Sequence, residues 1–459
     1  MSVMQSLFRW VHGSSMQALS ALPGPAPSFP FGNALDLLGD TPWETCGKWG
    51  QQYGPVTLIW IFGSPALVLN GASSIAEVLE GRWNDFYKAS PTEALRPVIT
   101  DNCPFICNGA DWKFKRENHP FSIPGLDPWM DTQVAPMSAA LAKGLDRLVQ
   151  RGAPVDLLSA MLRLSFDTFS VAVWGRELGD DAFGWFMQMG AEGSFRIKSP
   201  VPQLPALDPR FWYARSRWYG LYSQLIDEAK QRADPARGDL MAVLLRRGTK
   251  LQPDGFRDSL ANIFFGGVFS VASALATALY VLAREKEIGQ RLRAAVDAID
   301  MRAAGFDRAK LDGCADLDHV LRETLRWECP VPLYSRNTLV GPPITFAGTT
   351  LPSNTTVFIT NRYLHRDPTH WKDPDRFDPE RWANGGVERD PIGSGWFFPF
   401  GRGPRMCVGE PFAMFYMKLA LASLVARTAV SMDPWQKYVQ RMFFGVMSPQ
   451  DLEARFAAR

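Results

Sequence analysis

At 459 residues, with 46% apolar and 21% charged side chains, the chain has the composition of a folded globular protein, which excludes intrinsic disorder. A net charge of +2 excludes nucleic-acid binding by bulk charge. The six cysteines (Cys46, Cys103, Cys107, Cys314, Cys329 and Cys407) include no CxxC pair and are too sparse for a disulfide-stapled secreted fold.

Met1 to Leu22 carries Arg9, His12 and several serines, and no apolar run there is long enough for a signal peptide or a membrane span. Met4, Leu7, Phe8 and Val11 make the stretch amphipathic, which suits packing on the protein body, with a lipid surface as the alternative. Leu22-Pro-Gly-Pro-Ala-Pro predicts a stiff, extended entry. A helix is expected from Thr41 to Tyr53. Two strands follow, at Val56 to Trp60 and Ala66 to Leu69, joined through Gly63-Ser64-Pro65, and then a helix from Ala72 to Glu80. Weak periodicity and several prolines predict a loop over Pro91 to Cys107. A helix starting at Asp111 places Trp112 and Arg116 one turn apart on one face.

Met137 to Arg246 reads as helices broken near Pro200 to Pro209, and the aromatic density of Phe183 to Tyr219 reads first as core. Ile263 to Ala283 is the longest uncharged run and could span a bilayer by length alone. Gly266, Gly267, Ser270, Ser273 and Thr277 interrupt it, and the flanking Arg284-Glu-Lys-Glu287 is mixed in sign. A buried central helix is therefore expected. Asp316 to Trp327 is a helix carrying Glu323 and Arg326 at i and i+3, in isolation an ordinary solvated pair. Ile344 to Ile359 reads as a hairpin, Phe377-Asp-Pro-Glu-Arg-Trp382 supplies Arg381, and Pro411 to Thr428 is helical with an apolar face.

Phe398-Pro-Phe-Gly-Arg-Gly-Pro-Arg-Met-Cys-Val-Gly-Glu410 places Cys407 in a loop rich in glycine and arginine, just before that last helix. Positive charge and a helix N-terminus both favour the thiolate, the metal-binding form of cysteine. Gly401, Gly403 and Gly409 permit a tight backbone beside a flat ligand, and Arg402 and Arg405 can meet its anionic groups. Phe400, Gly403, Arg405, Cys407 and Gly409 stand at the spacing of a haem-binding loop, and the chain resembles the cytochrome P450 superfamily.

That resemblance implies a mainly α fold with small β-sheets. The expected organisation is one catalytic domain over residues 1–459, with residues 1–21 as an extension lacking a transmembrane anchor. Haem b would lie between a long central distal helix and the proximal cysteine loop, with Cys407 on the iron. Trp112, Arg116, Arg336 and Arg405 would hold the propionates, the alternative for Arg336 being a surface strand charge. Phe400, Gly401 and Gly409 would shape the loop. Glu323, Arg326 and Arg381 would form the structural triad, and His365 would be structural. Helices and loop within Phe183 to Tyr219 would form a mobile lid. The substrate pocket would be lined by the Pro91–Cys107 loop, Phe265, Val268, Val331, Leu333 and Phe444, and would suit a hydrophobic small molecule.

In the central helix, Gly266-Gly267-Val268-Phe269-Ser270 occupies the family's oxygen-activation motif. Gly267 and the alcohol Ser270 are retained, but Phe269 stands where an acid is usual. Two protons must reach dioxygen before its O–O bond breaks, and a phenylalanine relays none. The expected activity is monooxygenation with O2. Electrons would come from a separate ferredoxin- or flavodoxin-type protein, because no GxGxxG nucleotide fingerprint is present, and basic residues such as Arg402 and Lys418 would receive it. The alternative is atypical haem-thiolate chemistry: peroxide-driven oxidation, phenol coupling or rearrangement. A haem-based ligand sensor is the third reading. A cytoplasmic, prokaryotic-like enzyme is expected.

Overall fold

Val56–Ile61 and Ser64–Leu69 pair antiparallel, with Val56 opposite Leu69, in the computed structural model, which describes residues 2–88, 92–122, 125–199, 207–232, 237–301, 306–383 and 395–459. The connecting turn is Phe62-Gly63, both at positive φ, the conformation that matches strand twist in a two-residue hairpin. Ser64 and Pro65, expected in the turn, instead begin the second strand. This hairpin belongs to a five-stranded sheet in the order Val56–Ile61, Ser64–Leu69, Thr356–Ile359, Tyr334–Thr338, Phe86–Tyr87. Leu67, Val68, Leu69, Val357 and Ile359 are fully buried in it. The chain divides into two units. The sheet lies in the first, which comprises residues 1–94, 331–376 and 388–407.

The second unit comprises residues 95–330, 377–387 and 408–459 and is largely helical. Its central helix, Pro253–Arg284, has 32 residues and so spans about 48 Å. Pro253 suits its first turn, where no N–H is required. Asp258 fixes that end: its buried carboxylate accepts from Thr100 Oγ1 (2.9 Å) and Asn102 Nδ2 (2.8 Å) and pairs with Arg257 (2.8 Å). The central helix packs against Leu157–Trp174, Pro209–Arg232, Ala315–Trp327 and Glu410–Arg427. Pro253–Arg284 and Leu157–Trp174 are long and apolar enough to cross a membrane, yet most of each is buried within this unit.

Several boundaries differ from the sequence reading. Residues 92–99 form two short helical turns, Thr92–Leu95 and Arg96–Ile99, where a loop was expected; Pro97 fits the first turn of the latter. Pro91 lies outside the described residues. The first long helix starts at Leu126 and runs through Pro136 to Arg151. Helix ends at Lys198 and resumes at Pro209, as the prolines suggest, with residues 200–206 outside the described set. The predicted Ile344–Ile359 hairpin is only Ile344–Phe346 with Thr349–Leu351. Thr356–Ile359 leaves it to pair with Ser64–Leu69, because its buried Val357 and Ile359 complete the larger sheet.

Candidate haem-thiolate site

In the first unit, the cysteine loop is held by its own backbone. Gly401 N–H donates to Phe398 O (2.9 Å), Met406 N–H to Gly403 O (3.0 Å) and Cys407 N–H to Phe400 O (2.8 Å). Phe398 N–H donates to Nε2 of the buried His365 (3.0 Å), which gives that histidine the structural role expected of it. Gly401 and Gly403 adopt φ of 76° and 68°, a left-handed backbone that favours glycine at both. At Gly403 the close neighbour is protein: a Cβ would sit 2.0 Å from Leu79 O. Gly409, with φ of −88°, is under no such constraint, contrary to the reading that grouped the three glycines together. Of the six cysteines only Cys407 is exposed, and none is disulfide-bonded among the described residues.

Arg336 lies on the strand Tyr334–Thr338 and is buried, with Nη1 donating to Ser335 O (2.8 Å) and its guanidinium 5.5 Å from the Tyr334 ring centre. It is not a surface strand charge. Burial pushes its pKa below the usual arginine value, so an anionic group beside it would be favourable. Arg405 ends the short helical turn Gly403–Arg405 and is half-buried, as is Phe400. Leu333 packs against the cluster of Cys46, Trp49, Ile59 and Val68, and Val331 is half-buried. Arg402, expected to receive a partner or ligand, forms a two-bond pair with Glu80 (2.9 and 3.2 Å).

The second unit assembles the predicted triad. Glu323 and Arg326 are fully buried and joined by two bonds of 2.8 Å, while Arg381 Nε reaches Glu323 Oε1 at 3.2 Å. Sequence reasoning missed two further donors to the same carboxylate, Asp378 N–H (2.8 Å) and Trp382 Nε1 (3.1 Å). Their signal was the Phe377–Trp382 segment itself, which was read only for its arginine. Trp112 is buried and Arg116 half-buried on the helix Gly109–Glu117. Burial, and then the Arg116 charge, push the pKa of His119 down to about 3. His119 is therefore a neutral imidazole, whose Nδ1 accepts from Phe121 N–H (3.1 Å).

Along the central helix one stretch is open. Gly266 is exposed, with nothing within 4 Å of a Cβ built there, and Ser270, one turn on, is half-buried. Ser270 Oγ lies within donating distance of Gly266 O (3.0 Å) and Gly267 O (3.1 Å). Gly267 is needed for packing, since a Cβ there would meet Phe169 Cε1 at 2.4 Å. Phe269 is buried: its ring stacks on Phe186 (4.5 Å, 14°) and meets Phe443 (5.3 Å) and Phe444 (5.1 Å). Phe265 joins the same cluster through Phe186 and Phe444, and Val268 is fully buried. Lys418, the other residue expected to meet a redox partner, is buried and bridges Asp312 and Asp318 at 3.1 Å each, so both expected cations are paired within the protein. Tyr416, on the helix Glu410–Arg427, donates its hydroxyl to Ser165 Oγ (3.0 Å).

The profile of the cytochrome P450 family matches residues 22–453. Cytochrome P450 4A24 of Sus scrofa is 32% identical, over 92% of this chain and 88% of its own. Cyclooctatin synthase of Streptomyces melanosporofaciens is 29% identical over 74% and 77%, and a flavonoid 3'-monooxygenase of Oryza sativa subsp. japonica is 27% identical over 88% and 83%. The crystal structure of a cytochrome P450DA heme domain shares the fold, with a TM-score of 0.80 at 20% identity over 95% of this chain and 98% of that one. The chain belongs to the cytochrome P450 family. It is a haem-dependent oxidoreductase of the monooxygenase type, a class that uses O2 and a separate source of electrons. The exposed thiol of Cys407 and the buried guanidinium of Arg336, both in the first unit, fit that cofactor.

Proposed function

We propose that the protein is one catalytic domain that oxidises a hydrophobic small molecule, and that Cys407 is the thiolate that would hold haem b. In this reading Arg336, Arg405, Trp112 and Arg116 hold the propionates. Bound to a thiolate, haem supplies oxygen activation, because electron donation from sulfur favours O–O cleavage. The observation that carries the reading is Cys407 itself, the one exposed cysteine, on a loop whose backbone bonds fix it. Ser270 is the proton-handling residue, its hydroxyl able to rotate between two helix carbonyls and water. The names of relatives that include a flavonoid 3'-monooxygenase and an iridoid oxidase support a ring-bearing, apolar substrate. Electrons would arrive from a ferredoxin- or flavodoxin-type protein in the cytoplasm.

A second reading, peroxide-driven or otherwise atypical oxidation, is favoured by the central helix. From Ser259 to Arg284 it carries no carboxylate, and Asp258 is occupied by Thr100, Asn102 and Arg257. Protons must then travel through Ser270 and water, travel through a group on the substrate, or arrive already on the oxidant. The reduced, carbon monoxide-bound protein is expected to show a thiolate-type absorption band that Cys407→Ser abolishes; a variant retaining the band would sink the assignment. Turnover with hydrogen peroxide alone matching turnover with reductant and redox partner would select the second reading.

A further inference from the structure

A cleft lies at the far end of the central helix from Pro253, within the second unit. Leu279 and Leu282 form one wall. They stand nine and twelve residues beyond Ser270, roughly 14 and 18 Å further along the helix axis, so the cleft is separate from the open stretch at Gly266 and Ser270. Leu424 and Val425, from the end of Glu410–Arg427, and Val430, on the strand Thr428–Met432, form the opposite wall. The helix Lys286–Ala298 closes the third side, and Gly289 lets it come close: a Cβ there would meet Leu282 O at 2.9 Å. Leu279 and Leu424 are buried, whereas Leu282, Val425 and Val430 keep part of their surface open. The cavity measures about 50 Å³, room for roughly three to five water-sized groups.

One polar group at this cleft is uncommitted. The hydroxyl of Thr428 donates to Leu424 O (2.7 Å). Arg293, exposed at the rim, has no carboxylate within 4 Å among the described residues, and no Asp or Glu lines the cleft. Nearby arginines are engaged: Arg291 pairs with Asp316 and Glu380, and Arg284 Nη2 donates to Gln436 O. Asp297, one turn beyond Arg293 and its natural helical partner, is held by Arg459 Nη1 (2.8 Å) and Nη2 (2.5 Å).

A short apolar slot with one unpaired guanidinium at its mouth has the chemistry of a receptor for a small amphiphilic anion. The chain would cover leucine and valine surface, and the head group would meet the fork of N–H donors. We propose that this cleft binds a short-chain aliphatic carboxylate, its alkyl end against Leu279, Leu424 and Val430 and its carboxylate on Arg293. The size of the slot limits the inserted chain to about four carbons, with the remainder at the rim.

The test is titration of hexanoate into the full-length, haem-loaded protein by saturation-transfer NMR, with the haem absorption spectrum recorded on the same samples. Wild type is expected to bind hexanoate saturably without a change in that spectrum, and to bind 1-hexanol several-fold more weakly. Arg293→Gln should weaken hexanoate about tenfold, the worth of one hydrogen-bonded charge, and leave hexanol unchanged. Leu282→Phe, which fills the slot, should remove both ligands. Arg293 is exposed and Leu282 half-buried, so the thermal midpoint and carbon monoxide spectrum of each variant should stay close to wild type. No saturable binding, binding that Arg293→Gln leaves at wild-type strength, or equal affinity for hexanol overturns the proposal. Hexanoate binding that shifts the haem spectrum and survives Leu282→Phe also overturns it, since the occupied site is then the haem pocket. The readout needs no turnover, so its failure is distinct from failure of the haem-thiolate reading, which the carbon monoxide band reports.

Discussion

Removing the carboxylate at the centre of the triad by Glu323→Ala is expected to be among the most damaging single changes in the second unit. That carboxylate accepts from both Arg326 nitrogens at 2.8 Å, from Arg381 Nε, from Asp378 N–H and from Trp382 Nε1. Glu323 and Arg326 are both 0% exposed, so deleting one member leaves a cation buried without its carboxylate, a change that costs about 3–5 kcal/mol. Asp378 and Trp382 are only part-buried in these bonds, so water can replace much of what they lose. Against a typical domain stability of about 5–15 kcal/mol, the loss is a large fraction. Arg381 reaches Glu323 at 3.2 Å and is 11% exposed where Arg326 is fully buried, so Arg381→Ala should cost less than Arg326→Ala. Urea unfolding followed by far-ultraviolet circular dichroism reads the order, and Glu323→Gln, which keeps one acceptor oxygen, should fall between wild type and Glu323→Ala. A loss below about 1 kcal/mol for Glu323→Ala, or equal losses for the two arginines, would refute the view that burial makes this cluster matter.

Gly403→Ala should lose about 1–2 kcal/mol from the left-handed backbone alone, and more from the contact with Leu79 O. Gly409→Ala should be tolerated, and thermal midpoints of the pair distinguish conformational need from sequence motif. Phe269→Glu would place a carboxyl among Phe186, Phe443 and Phe444, where burial raises its pKa. Its cost should therefore grow as pH rises above about 4.3, the ordinary glutamate value, and a pH-independent cost measured in urea would contradict this placement. His119 binds a proton in the unfolded chain near pH 6.5 but in the folded protein only near pH 3. Because the folded pKa is depressed, its contribution is present above pH 6.5 and is lost as pH falls toward 3, by at most about 5 kcal/mol. His119→Gln should flatten that part of the stability–pH profile.

What the sequence reveals follows the reach of the interaction involved. The apolar runs Ile263 to Ala283 and Pro411 to Thr428, and strands rich in apolar residues, depend on neighbours along the chain and are legible there, although the central helix begins ten residues before its run, at Pro253. Glu323 and Arg326 are one turn apart, but that they are buried, and that Asp378 and Trp382 join them, depends on a segment more than fifty residues away. Arg402 and Lys418 show the opposite failure. Each looks like a free surface cation in sequence, yet Glu80 and the pair Asp312 and Asp318 hold them through contacts that no local pattern signals. The departure of Thr356–Ile359 from its expected hairpin has the same origin, a parallel partner nearly three hundred residues earlier.

Phe269 illustrates how a departure in sequence acquires physical content only from its surroundings. Read alone, it is a missing acid in a proton relay. In the fold its ring lies against Gly190, where a Cβ would come within 2.6 Å of Cζ, and it shares Phe186 and Phe444 with Phe265. A carboxylate could not occupy that site ionised without a polar partner, and the rings offer none. The loss of the acid and the aromatic packing around it are therefore one feature, and restoring the acid alone should damage the fold before it restores a relay. Proton delivery in this protein is better probed at Ser270, whose hydroxyl stands on the open stretch of the helix. There Ser270→Ala should change the coupling of electrons to product while leaving the urea midpoint close to wild type, and a large loss of stability instead would place Ser270 in the packing with Phe269.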